Sequence, residues 1–499
     1  MKKLLSLLLM SGTLIFLASC GDDDDPLAPG VTGTDTSAEP AGDAVNVTFS
    51  FTAEGGYASS AVEASAGSAE VTTEPGSGDE SGDVVVSFTP PAGSGDVTIT
   101  LTITDEDGQI GSGTATVSVS LTGQTFTVSS NITADATWVG GNTYVLDGRI
   151  AVLEGATLTI EAGTVIKGEE GDGANASALI IARGAQIEAN GTASAPIIFT
   201  TVNDNIAPGE IASPNLDEND IGEWGGLLIL GNAPISADAA AIQIEGIPAD
   251  DTNGLYGGSD AEDNSGTINY VSIRHGGANI GEGNEINGLT LGGVGSGTTI
   301  TNVEVVANQD DGIECFGGTV NISNALVWAQ QDDAYDIDQA YSGTIDNYVY
   351  IAGEESDHGL EIDGPEGSAT GSFTMRNGSL RGISAEMADF RDGATGTVTN
   401  SYFFNFSDSG DLELDAGDND DENATSVNYV NGDLVLTGLE FNTTQTIADI
   451  VEDKFAANNA AFETQMAEDN SIVTEATVGA DASVFGWTFA SAAGALDDF

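Results

Sequence analysis

The feature that most restricts the fold is a repeat in the second half of the chain. Units open on Thr267-Ile268, Thr299-Ile300, Thr319-Val320, Thr344-Ile345, Ser372-Phe373 and Thr397-Val398, at steps of 32, 20, 25, 28 and 25 residues. An asparagine follows each opening: Asn269, Asn302, Asn321, Asn347, Asn377 and Asn400. Such residues can stack at turns and bond to the neighbouring unit. A short unit of this kind cannot bury its apolar side alone, whereas stacked copies bury a continuous core, so the period predicts a solenoid. A propeller would need longer repeats of four hairpin-joined strands. Short strands separated by single turns begin earlier, in Tyr144–Val152, Ala156–Ile160, Gly163–Gly168, Ala178–Ile187, Pro196–Thr200 and Trp224–Leu230.

These phrases resemble the coils of a right-handed parallel β-helix of the pectate-lyase-like and polygalacturonase-like superfamily. The expected fold is all-β, with the β-helix over residues 124–440. About a dozen coils at roughly 4.8 Å each would make a rod on the order of 60 Å long. Residues 140–420 also resemble a group of bacterial β-helix lipoproteins, through Ala156–Gly168, Trp224–Pro234 and Glu285–Gly297. Upstream, residues 43–122 alternate as half-buried strands do, in Val45–Phe49, Val84–Phe88, Val97–Thr104 and Thr114–Val119. Their spacing resembles the Ig-like β-sandwich modules of bacterial surface proteins. The turn Asp105-Glu106-Asp107-Gly108 reads as a plain hairpin connection, with weak calcium binding as its alternative. Residues 20–42 read as a flexible acidic tether, and 441–499 as a cap with a short helix around Lys454–Glu468, where Phe455, Phe462 and Met466 share a face.

The first nineteen residues read as a signal peptide. Lys2 and Lys3 precede the interrupted apolar run Leu4–Leu17, which is too short to span a bilayer. Leu17-Ala18-Ser19-Cys20 resembles the lipobox of bacterial lipoproteins, which implies lipid on Cys20 and attachment to a membrane. The tetrad Asp22–Asp25 resembles a signal for export to the outer face of the outer membrane, which implies a surface-exposed protein. Cys315 is then the remaining cysteine and reads as a core thiol.

Seventy-nine acids face ten bases, a formal charge of −69, which excludes nucleic-acid binding and favours cations. Much of that charge falls in register. The second strand of successive coils reads Gly312–Phe316, Ala334–Asp338, Gly359–Asp363, Met387–Arg391 and Asp411–Asp415. Alternation sends Ile313/Cys315, Tyr335/Ile337, Leu360/Ile362, Ala388/Phe390 and Leu412/Leu414 inward. Glu314, Asp336, Glu361, Asp389 and Glu413 then form one outward column, with Asp338, Asp363 and Asp415 in a second. Carboxylates about 4.8 Å apart repel by about 1 kcal/mol per pair in water and several times more where desolvated. Arg274, Arg376, Arg381 and Arg391 are too few to balance them. Calcium, which takes six to eight oxygens in loose geometry, suits the column. The plain alternative is a solvated acidic face. A binding or structural role directed at glycans or other surface components is the first reading.

A catalytic reading stands beside it. Asn308-Gln309-Asp310-Asp311-Gly312, Gln331-Asp332-Asp333 and Asp357-His358-Gly359 resemble the aspartate pairs and His-Gly motif of the polygalacturonase family. The resemblance implies glycan hydrolysis by Asp310, Asp311, Asp332 and Asp333 with His358 in support. The family's Arg-x-Lys segment is missing, with Arg381-Gly382-Ile383 a poor substitute, and no lysine lies between Lys167 and Lys454. Arg274-His275-Gly276-Gly277 reads as a turn rather than a site.

Overall fold

The computed structural model describes residues 27–38, 44–91, 95–119, 123–171, 173, 176–278, 286–383, 386–408, 410–414, 425–453 and 459–499. Cys20, the signal segment, Phe455 and Asp415 lie outside them. The chain divides into two units, Met1–Leu121 and Thr122–Phe499. Among the described residues no helix is long and apolar enough to cross a membrane.

The first unit contains two four-stranded sheets. One orders Gly30–Gly33, Val45–Thr52, Ser81–Thr89 and Ser68–Thr73; the other orders Thr36–Ala38, Ile110–Val119, Gly95–Asp105 and Tyr57–Ala64. Val47, Phe49, Val86 and Phe88 of the first share one core with Ile99, Leu101, Ile103 and Val117 of the second. The tether reading of 20–42 is therefore corrected over 30–38. These residues lack an apolar alternation of their own and become strands by pairing with Val45–Thr52 and Ile110–Val119. Gly113 admits them: a Cβ there would meet the Val31 carbonyl oxygen at 2.3 Å.

The second unit is a parallel β-helix built on a seventeen-stranded and a ten-stranded sheet. In each regular coil a short strand such as Ile313–Phe316 joins the ten-stranded sheet. A longer one such as Asn321–Trp328 joins the other. Its inward residues form one continuous core, from Trp138 to Met466. Asn302, Asn324, Asn347 and Asn377, within the long strands, and Asn400, between two shorter ones, adopt φ between 52° and 59°. Asparagine tolerates this left-handed region better than other non-glycine residues. Asn302 Nδ2 donates to Asn269 Oδ1 at 2.9 Å, Asn324 to Asn302 at 2.9 Å and Asn347 to Asn324 at 2.8 Å. The stacking position in the third coil is thus Asn324, not Asn321. Asn321 Oδ1 instead accepts the Thr344 N–H at 3.0 Å.

The β-helix does not stop at 440. Glu440–Asn442, Val451–Asp453 and Ser471–Ile472 continue its sheets. Helices Thr425–Asn431 and Asn459–Asp469 bring Tyr429, Phe462 and Met466 into its core. The expectation that the remaining residues close the open end is corrected as well. Phe485, Phe489 and Ala490 pack on Val306, Leu326, Trp328, Val349 and Ile351, along the outer flank of the seventeen-stranded sheet. Glu304, fully buried on that flank, accepts the Phe489 and Ala490 N–H groups at 3.1 and 2.9 Å.

Candidate functional site

One outward-facing column on the ten-stranded sheet changes character along its length. It reads Ile180, Leu228, Thr290, then Glu314, Asp336, Glu361, Asp389 and Glu413, each the direct parallel partner of the next. A loop between strands Leu227–Leu230 and Gly266–Arg274 covers the apolar part, packing Ile244, Ile247 and Tyr256 over Leu228, Leu230 and Phe316. The acids begin at the edge of that cover, where Tyr256 still feels the charges of Asp338 and Glu314. They are not a solvated face: Glu314, Glu361 and Asp389 are 5%, 7% and 6% exposed. In the second column, Asp338 lies opposite Phe316. Asp363 accepts from Arg391 Nε at 2.6 Å and Nη2 at 3.2 Å.

Burial and neighbouring carboxylates push these groups toward their neutral forms. Burial first, then Asp311 and Asp338, raises Glu314 well above the usual carboxylate range. Burial, then Glu314 and Asp311, does the same for Asp336. Asp338, raised chiefly by burial, reaches about 7.

Two protein cations serve the middle of the column. Arg391 contacts Glu361, Asp363 and Asp389 together. His358 Nδ1 lies 2.8 Å from Asp333 Oδ1 and 3.6 Å from Glu361, while Nε2 lies 3.3 Å from Glu386. Burial opposes charge on this imidazole, but the Asp333 bond, with Asp357 and Asp389, holds its pKa up at about 9. The other arginines sit elsewhere: Arg274 with Glu304, Arg376 with Asp346 and Arg381 with Asp498.

The first end of the column differs from the middle, whereas Glu386 at the other end lies against His358. Single oxygens of Asp311, Glu314 and Asp336 lie within 4.8 Å of one another, as do those of Asp310, Asp311 and Asp332, and those of Glu386, Asp411 and Glu413. At the first end, Asn287 is 2% exposed and donates through Nδ2 to Glu314, while its Oδ1 has no partner. Asp336 Oδ1 is likewise buried and unpartnered. Unpaired buried oxygens of this kind are costly, and beside the clustered oxygens of Asp311, Glu314 and Asp336 they make an oxygen-rich setting suited to a hard cation. Asn287 and Glu386 were not legible as site residues, because neither falls in the strand repeat.

The candidate catalytic residues also come together, in the turns before three successive strands. Asp311 Oδ1 accepts the Asp333 N–H at 2.9 Å, and Asp333 Oδ1 accepts the His358 N–H at 2.9 Å. Each carboxylate thus ties its turn to the next. Asp311 and Asp333 are 7% and 3% exposed, whereas Asp332 faces solvent. Burial and then Asp333 raise Asp332 to about 6. The Arg274-His275 pair is structural: Arg274 is fully enclosed, and His275 Nδ1 meets the Asp220 carbonyl at 2.6 Å.

A coiled stack of parallel strands carrying an inset line of carboxylates defines an acidic β-helix protein. The chain matches the pectate-lyase-like β-helix domain over residues 130–490 and belongs to that family. Among solved structures it is similar to the Family 28 exopolygalacturonase of Yersinia enterocolitica. The two are 12% identical, with 86% of this chain and 96% of that chain covered and a TM-score of 0.21, too distant to assign any residue. No curated protein sequence matches the chain.

Proposed function

We propose that this protein is a calcium-stabilised cell-surface lipoprotein whose β-helix has a binding or structural role directed at glycans or other surface components. The observation that carries the reading is the uneven supply of cations along the column. His358 and Arg391 serve its middle, and His358 reaches Glu386 beyond it, while Asp311, Glu314 and Asp336 at the first end converge with neither. Calcium at the first end would complete the line. The signal-like Met1–Ser19 and the lipobox at Cys20 support anchoring through lipid on the outer membrane, surface-exposed. In this reading the first unit is an Ig-like spacer that holds the β-helix off the membrane.

A second reading, glycan hydrolysis, draws on the contact between His358 and Asp333 and on the exposed Asp332, whose pKa of about 6 suits a general acid. Inverting hydrolysis needs carboxyl groups about 6.5–9.5 Å apart. Asp310, Asp311 and Asp332 bring one oxygen each within 4.8 Å of one another. Thermal unfolding with calcium and with EDTA, run beside reducing-sugar release from a glycan panel, separates the two. A large calcium-dependent shift without turnover supports the binder. Turnover that disappears in Asp332→Asn supports the hydrolase and sinks the first reading.

A further inference from the structure

The first unit holds a pair of carboxylates that the β-helix site does not involve. Strand Gly95–Asp105 pairs with Tyr57–Ala64, placing Asp105 opposite Tyr57 and next to the turn at Glu54-Gly55-Gly56. Asp105 is 2% exposed. Its Oδ1 accepts the Gln109 N–H at 2.6 Å, but its Oδ2 is buried without a partner. A Cβ on Gly55 would stand 2.7 Å from that Oδ2 and 2.8 Å from Asp107 Oδ2. Two carboxylate oxygens therefore lie against the same face of a residue that has no side chain.

That face is too tight for a methyl group, and an ion held by both oxygens, at calcium–oxygen contacts of about 2.3–2.6 Å, would stand further out from the Gly55 backbone than a Cβ. A buried carboxylate oxygen with no donor is costly, and a second one against the same face adds repulsion. The first unit has no remedy of its own, because the sequence contains no lysine, arginine or histidine between Lys3 and Arg149. Glu106 is engaged otherwise, accepting from Ser77 Oγ at 2.7 Å. The counter-charge has to come from solution.

We propose that a calcium ion binds between Asp105 and Asp107 over Gly55, pinning the Glu54–Gly56 turn to the Asp105–Gly108 turn. Hard oxygen ligands select calcium over softer metals. With two protein carboxylates and water completing the shell, the affinity falls in the weak range of extracellular modules, with Kd roughly 10⁻⁴–10⁻³ M. The site lies in the first unit, so it stands or falls independently of the β-helix column.

Hydrogen exchange on the full-length chain tests it with peptide resolution. Adding about 5 mM calcium, several times the weakest Kd of that range, to EDTA-treated protein should slow amide exchange about threefold or more in peptides covering 53–57 and 104–109. Asp107→Asn, at an exposed position that folding tolerates, should abolish the slowing, and so should Gly55→Ala, which crowds that face. Unchanged exchange in those peptides, or slowing that persists in Asp107→Asn, overturns the proposal. Peptides covering 311–338 report on the column in the same experiment, so failure of one site is distinguishable from failure of the other.

Discussion

Replacing Asp336 by asparagine should reverse sign with calcium. Asp311, Glu314 and Asp336 place oxygens within 4.8 Å of one another. At an effective dielectric of about 20, each ionised pair at that distance repels by about 3.5 kcal/mol, so Asp336 between two neighbours feels up to about 7 kcal/mol. Protonation relieves part of this, since burial and the neighbouring acids raise both Glu314 and Asp336. At pH 8 in EDTA, Asp336→Asn should therefore stabilise the protein by about 1–3 kcal/mol, a rise in Tm of a few degrees. Calcium at 100 times its Kd would stabilise the wild type by about 2.7 kcal/mol. The variant, lacking a ligand, should gain far less, so wild type leads in calcium and trails in EDTA. Thermal unfolding by circular dichroism under both conditions reads the crossing. A variant less stable than wild type in EDTA, with the wild-type calcium increment intact, would refute the reasoning and make Asp336 an ordinary structural acceptor.

Stability of the metal-free protein should fall as pH rises. Burial, followed by neighbouring charge, lifts Asp332 to about 6, and burial lifts Asp338 to about 7. The stability these groups contribute is present below their unfolded values, about 4, and is lost as pH climbs through 6 to 7. His358, held at about 9 against 6.5, acts in the same direction between those values. A pH series of melts in EDTA should slope downward from about pH 4 to 9, and calcium should flatten it. Glu304→Ala leaves Arg274 buried without its carboxylate and should cost about 3–5 kcal/mol in urea unfolding, whereas Glu304→Gln, which keeps an acceptor for one of the Phe489 and Ala490 N–H groups, should cost less. Asn324→Ala, at φ 56° and within the asparagine stack, should cost about 2–3 kcal/mol by the same measurement, with Asn324→Gly recovering the backbone share.

The acidic column was legible because two periods coincide: strand alternation selects the outward residue, and the coil length brings the next one beside it. Glu314, Asp336, Glu361, Asp389 and Glu413 follow from those two rules alone. What sits over the column follows no such rule. Tyr256 and Asn287 reach it from outside the repeat, so their part was hidden, and with it the enclosure that turns a solvated face into a desolvated one. The choice of Asn321 over Asn324 has a similar origin. Both lie in the same strand, and only the left-handed backbone at 324 distinguishes the stacked residue from its neighbour. The strands at 30–38 were missed because Gly- and Thr-rich segments take their structure from the partner edge. The docking of Phe485–Phe489 did leave one trace. Glu304 lies beside outward Leu326 and Val306, and an acid at such a position needs donors brought to it.

The flank beneath Phe489 has a consequence for how the molecule matures. Glu304 and Phe489 meet across 185 positions of chain. Val306, Trp328 and Ile351 therefore present a greasy seam to water until residues 480–499 have been synthesised and can lie down on it. Growth from the amino-terminal coils alone leaves the job unfinished, and the final zippering waits on late-made residues. A product truncated before Ala480 would keep the seam open and stick, side to side, to others like itself.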